Sequence, residues 1–204
     1  MPKIVDKEQK QSEIIMAAIR VFGREGVVKA KMAEVAREAG IGKGTIYEYF
    51  RSKEELFGAC FDFLFQKTEQ EALQKLGSIL DPVKRLKALV LETSRIYIEE
   101  YGDFISIMMD FWAEGIRKKN DGILQTMDLP RLYEEFRQLI SGIIEEGKAA
   151  GRIKESVDSL YLASSIIAVL DGLMLQWMLD PKLIAFLPAV DIFMDSLLNG
   201  ICRE

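Results

Sequence analysis

At 204 residues, 49% apolar and 29% charged with a net charge of −5, the chain is long enough to bury one large core or two small ones. It has no histidine. That removes imidazole bases, Ser-His-Asp triads, the Glu-x-x-His di-iron pattern of helical bundles and most transition-metal sites, so no metal or cofactor is expected. No run of 18 uncharged apolar residues appears, so no membrane span is implied. The opening MPKIVDKEQKQSE lacks the apolar core of a signal peptide, which makes the cytoplasm the expected location. Cys60 and Cys202 lie far apart and read as two reduced thiols.

The charge is unevenly spread. Residues 1–53 hold 11 Lys and Arg against 7 Asp and Glu, a balance of +4, while the remainder holds 16 against 25, a balance of −9. A basic head on an acidic body predicts that one end meets a polyanion and the other repels it.

In chain order, residues 1–7 read as an arm whose Lys3 and Lys7, with Lys10, carry positive charge. A first helix is predicted from about Glu8 to Glu25, buried through Ile14, Ile15, Ala18, Ile19 and Phe22 and ended by Gly26. The stretch 31–50, KMAEVAREAGIGKGTIYEYF, reads as two short helices around a tight glycine turn. Met32, Val35, Ala36 and Ala39 give the first of them one apolar face, and Gly40 follows where a helix needs positive φ. Ile46 and Phe50 point the second helix inward and leave Lys43, Thr45, Tyr47 and Glu48 on other faces, with Tyr49 also outward. The spacing Ala36, Gly40, Ile46 fits a helix-turn-helix, whose second helix enters the DNA major groove. Spacing alone fits any all-α hairpin. The outward hydroxyls and lysine, followed by Arg51 and Lys53, are side chains that contact phosphates and base edges.

Ser52 is placed as the N-cap of a fourth helix reaching about Leu76, with Leu56, Phe57, Cys60, Phe61, Leu64 and Phe65 as its apolar face. Asp81 and Pro82 open a fifth helix that stops near Tyr101-Gly102, and Asp103 caps a sixth, FISIMMDFWAEGIRKK. Residues 120–128 read as a loop, Pro130 opens a seventh helix reaching Ala150, and an eighth spans about Val157 to Leu179. Pro188 begins a ninth. The eighth is too apolar for one face in water, and the ninth is similarly rich, so the pair is expected to cover itself with a twofold mate. Phe61, Phe65, Met108, Phe111, Trp112, Phe136, Met174 and Trp177 are the candidate lining of an apolar pocket, and equally ordinary core. Asp110, Glu114 and Asp171 stand in or beside these apolar runs, where a carboxylate caps, pairs with Arg95 or Arg117, or meets a ligand.

The run GIGKGTIYEYFRSKEEL (residues 40–56) resembles the signature of the tetracycline-repressor (TetR) family of bacterial regulators, and IIMAAIRVFGREG (residues 14–26) resembles that family's first helix. Lys31 stands where the family has Thr or Ser, and Gly42 where it has Ser. The resemblance implies an all-α fold of about nine helices. A three-helix helix-turn-helix head (residues 8–68, motif 31–50) would sit on a larger helical body (69–204) for ligand binding and dimerisation. It implies DNA contacts at Lys31, Gly42, Lys43, Gly44, Thr45, Tyr47, Tyr49 and Lys53. The implied partners are a double-stranded DNA operator, a second copy held through the last two helices, and a small-molecule effector that shifts the fourth helix. Two other readings stay open on the residues alone: a helical small-molecule-binding protein, with Asp110 and Glu114 as acid and base if it were an enzyme, and a protein-interaction module without DNA binding.

Overall fold

The computed structural model describes residues 7–117 and 129–203, with side chains at 7–102 and 130–203. Among them are eight helices: α1 (Lys7–Glu25), α2 (Met32–Glu38), α3 (Lys43–Tyr49), α4 (Lys53–Leu76), α5 (Pro82–Arg117), α6 (Leu129–Ala149), α7 (Ser159–Leu179) and α8 (Phe186–Ile201). α5 is two helices that meet at a kink where the sequence places a stop, near Tyr101-Gly102, so the predicted fifth and sixth helices share one label. Tyr101 alone leaves helical geometry there, at φ −129° and ψ 15°. α8 starts two residues ahead of Pro188, which sits in the first turn where its missing N–H costs nothing. The loop predicted over 120–128 and the arm residue Lys3 lie outside the described residues.

Side chains start three of these helices. Ser52 Oγ accepts from the Glu55 N–H at 3.1 Å, and the Glu55 carboxylate accepts from the Arg51 N–H at 2.7 Å, a reciprocal cap for α4. Asp81 accepts from the Val83 N–H at 2.9 Å ahead of α5, and Asp158 from the Leu160 and Tyr161 N–H groups ahead of α7.

The chain divides into two compact units, the first running to Lys67 and including α5 from Tyr101, the second taking Thr68–Glu100 and the chain from Leu129. In the first, α1 packs on α2 and α2 on α3. Phe22, Val35, Ala36, Ile46, Phe50, Leu56 and Phe57 form its buried interior, with Phe22 edge-on to Phe57 at 5.7 Å. Each such side chain contributes about 1.5–3 kcal/mol by leaving water. Burial pushes the Cys60 thiol up, so it stays an inert thiol.

In the second unit α6 packs on α7 and α7 on α8 around Leu86, Leu89, Ile140, Ile144, Ile166, Val190 and Met194. Ile153 closes this core from the turn after α6 by lying over Gly147: a Cβ there would come within 2.5 Å of Ile153 Cδ1 and 2.9 Å of Cγ1. Ile153 is fully buried and branched next to its backbone, so it has little room to yield. Gly147→Ala is therefore expected to destabilise this unit by about 1–3 kcal/mol despite alanine's better helix propensity. A lowered urea midpoint with unchanged slope checks this.

Candidate nucleic-acid interface

The turn between α2 and α3 is built by backbone geometry that only a few residues permit. Gly40 takes φ +65°, its N–H bonds the Arg37 carbonyl at 3.2 Å, and the Ile41 N–H reaches back to the Ala36 carbonyl at 2.9 Å. These two bonds are the Schellman arrangement, which stops α2 and satisfies carbonyls that would otherwise be orphaned. A side chain at position 40 would meet no neighbour, so the requirement there is conformational. Gly42 then enters α3 in extended geometry (φ −68°, ψ 149°), without a side-chain cap. Ile46 and Phe50, at 0% and 2% exposure, anchor α3 to the interior of its unit.

What α3 turns outward follows from those anchors. Gly42, Lys43, Gly44 and Glu48 are exposed, Tyr47 is 46% exposed, and Thr45 and Tyr49 are half-buried on the other flank. The strip most distant from Ile46 and Phe50 is thus Gly44 and Glu48. Among the described residues nothing approaches the place a Cβ on Gly44 would take, leaving the α3 backbone open to an outside partner. Glu48, which the sequence already leaves off the inward face of this helix, was not among the expected DNA contacts. Its signal was the four-residue offset from Gly44, which puts both on one face. Arg51 is exposed just beyond α3.

Lys31 and Lys53 are held differently from each other. Lys31 is exposed at the N-cap of α2, and its side chain makes no cap bond. Instead its N–H donates to Glu34 Oε2 at 2.8 Å, which holds the Glu34 carboxyl below its usual range. Lys53 is half-buried, and its ammonium donates to the carbonyl oxygens of Val28 at 3.1 Å and Ala30 at 3.2 Å. Arg20 binds Glu38 at 2.9 Å, tying α1 to α2 and depressing the Glu38 carboxyl.

The candidate effector residues fall in separate places. Phe61 and Phe65 stack at 6.4 Å in the first unit. Phe136, Met174 and Trp177 border the core of the second, with Trp177 tilted against Phe186 at 6.4 Å. The side chains of Met108, Phe111 and Trp112, and of Asp110 and Glu114, lie outside the described residues. Of the roles left open for Asp171, pairing with Arg95 is not the one taken: Asp171 accepts from the Tyr133 hydroxyl at 2.9 Å, while Arg95 binds Glu92 and Glu99. Burial pushes both the Asp171 carboxyl and the Tyr133 phenol up. A groove of about 620 Å³ between the second half of α6 and the segment before α7 is lined by polar and apolar groups alike, and its Glu145 already binds Ser159 and Lys148.

Comparison with known proteins follows the same division. Residues 14–60 match the family described as bacterial regulatory proteins, tetR family, and residues 82–199 match the BetI-type transcriptional repressor, C-terminal. The fatty acid metabolism regulator protein of Bacillus subtilis (strain 168) is 24% identical over 196 residues, covering 96% of this chain and 97% of its own. A Bacillus subtilis FadR structure in complex with stearoyl-CoA superposes with a TM-score of 0.76 at 20% identity, covering 93% of this chain and 98% of that one. A regulator structure from Saccharomonospora viridis in complex with choline does so with a TM-score of 0.79 at 21% identity, covering 97% and 100%. With more than half its length matched by the C-terminal description and its helix-turn-helix by the other, the chain belongs to the tetR family of bacterial regulatory proteins and is a DNA-binding transcriptional regulator with a BetI-type C-terminal part.

Proposed function

We propose that this regulator is a cytoplasmic repressor that binds a palindromic operator as a homodimer and responds to a small effector in its body. The head, residues 8–68, lays α3 in the major groove. Lys43, Thr45, Tyr47 and Tyr49 touch bases and phosphates there, and Gly42 and Gly44 let the backbone come close. Lys31 and Lys53 add charge near the phosphates. Glu48 brings an acceptor into the groove, where cytosine N4 and adenine N6 are the available donors. The observation that carries this reading is the Gly40 turn, which ends α2 and leads into α3 with Lys43, Gly44, Tyr47 and Glu48 exposed.

The body, residues 69–204, supplies the twin contact and the effector site. α7 is the one helix among the described residues long and apolar enough to cross a membrane, yet only 17% of its most apolar stretch is buried. A second copy of α7 and α8 covers that surplus and sets two α3 helices at operator spacing. The effector is placed against the apolar side chains that border this unit's core, Phe136, Met174 and Trp177, and acts by favouring one spacing of the heads. The similar structures hold a small cation in one case and a long acyl thioester in the other, so the fold admits both chemistries.

Tyr47→Ala tests the interface. It is expected to weaken binding to duplex DNA from beside the protein's own gene by roughly ten- to a hundredfold, the worth of one good base contact, with the dimer intact. Unchanged affinity in a salt-controlled gel shift contradicts the assignment.

A further inference from the structure

We infer that Lys53 is a positioning residue for DNA binding: its ammonium holds the turn between α1 and α2 in the form that presents Lys29 and Lys31. This rests on the DNA-binding reading above. The turn, residues 26–30, is pinned from inside by Val27 and Ala30, 6% and 2% exposed, while Val28 and Lys29 stand in solvent. Its own bond runs from the Ala30 N–H to the Gly26 carbonyl at 3.0 Å. From outside, Lys53 at the first position of α4 reaches the Val28 and Ala30 carbonyls at 3.1 and 3.2 Å. An ammonium has three donors, so these two bonds leave one for a phosphate.

The consequence falls on the next residue. Lys31 follows Ala30 directly and caps α2 through its backbone alone, gripped by the Glu34 carboxylate on its N–H. Where its side chain starts is therefore set by the turn, and the turn is tied to α4 by Lys53. A lysine acting only as a charge would contribute independently of Lys31. A lysine that shapes the turn would make the Lys31 contact depend on it.

The experiment is a double-mutant cycle on the full chain, with Lys53→Met, Lys31→Met and the double variant binding a mixed-sequence duplex over a range of salt. Amide hydrogen exchange over residues 26–34 is followed in parallel. Lys53→Met is expected to lower the log–log salt slope by more than the ~0.9 that one lost phosphate contact explains. Lys31→Met should then cost several-fold less in the Lys53→Met background than in the parent. Exchange in the turn should accelerate, and Lys53→Arg, which also donates to carbonyls, should restore part of both readouts. Additive losses, or exchange unchanged by Lys53→Met, overturn the inference. A parent protein that fails to bind duplex DNA overturns the functional reading instead, and the exchange result alone then decides whether Lys53 shapes the turn.

Discussion

Leu175→Arg is expected to leave the protein monomeric and to weaken its hold on a palindromic duplex by roughly two orders of magnitude or more. The inner side of α7 is committed to its own unit through Ala163, Ile166 and Ile167. Its outer side shows Tyr161 at 77%, Leu175 at 43% and Leu179 at 75% exposure, and α8 adds Ile192 at 68%. Each of these gains about 1.5–3 kcal/mol if a twin removes it from water. A guanidinium placed there without a partner reverses the balance, because burying an unpaired charge costs several kcal/mol. With the twin lost, each head binds alone and the benefit of linkage disappears. Light scattering reads the mass and a gel shift reads the affinity. A variant that stays dimeric and binds as before would place the subunit contact elsewhere.

Phe57→Ala is expected to cost the first unit about 3–5 kcal/mol. The ring is fully buried and meets Phe22 edge-on, so its loss leaves a cavity lined by residues that α1 and α4 hold in place. Because the second unit has a core of its own, its α7 and α8 should survive. DNA binding should therefore fail at a lower urea concentration than dimerisation does. Loss of both at one midpoint would mean that the two units unfold as one.

Much of this architecture is legible in local chemistry. The α1 stripe (save Ile19, which is only half-buried), the Ser52 and Asp81 caps and the arrest of α2 at Gly40 each depend on residues within one or two turns of chain, and the structure has each where its residues place it. The break at Tyr101 is local as well: a glycine next to a capping residue signals it, and the chain leaves helical geometry there. The bonds of Lys53 were invisible for a different reason. Its carbonyl partners lie 25 and 23 residues upstream, and a lysine after a helix-turn-helix reads first as a phosphate ligand. The Tyr133–Asp171 bond, across 38 residues, and the seating of Ile153 on Gly147 are likewise tertiary facts without local signature. Glu48 was visible in the sequence, but its place on the outermost strip of α3 became clear only once Ile46 and Phe50 fixed the rotation of that helix.

The central claim is that two copies of α3, held at a fixed separation, read duplex DNA. Selection of bound duplexes from a random-sequence pool at about 0.15 M salt, where exposed charges act over only ~8 Å, tests it most directly. The account predicts enrichment of an inverted repeat whose half-sites lie one or more helical turns apart, and its loss with Tyr47→Ala. A pool that emerges unenriched, or one enriched in a single site without symmetry, would contradict it.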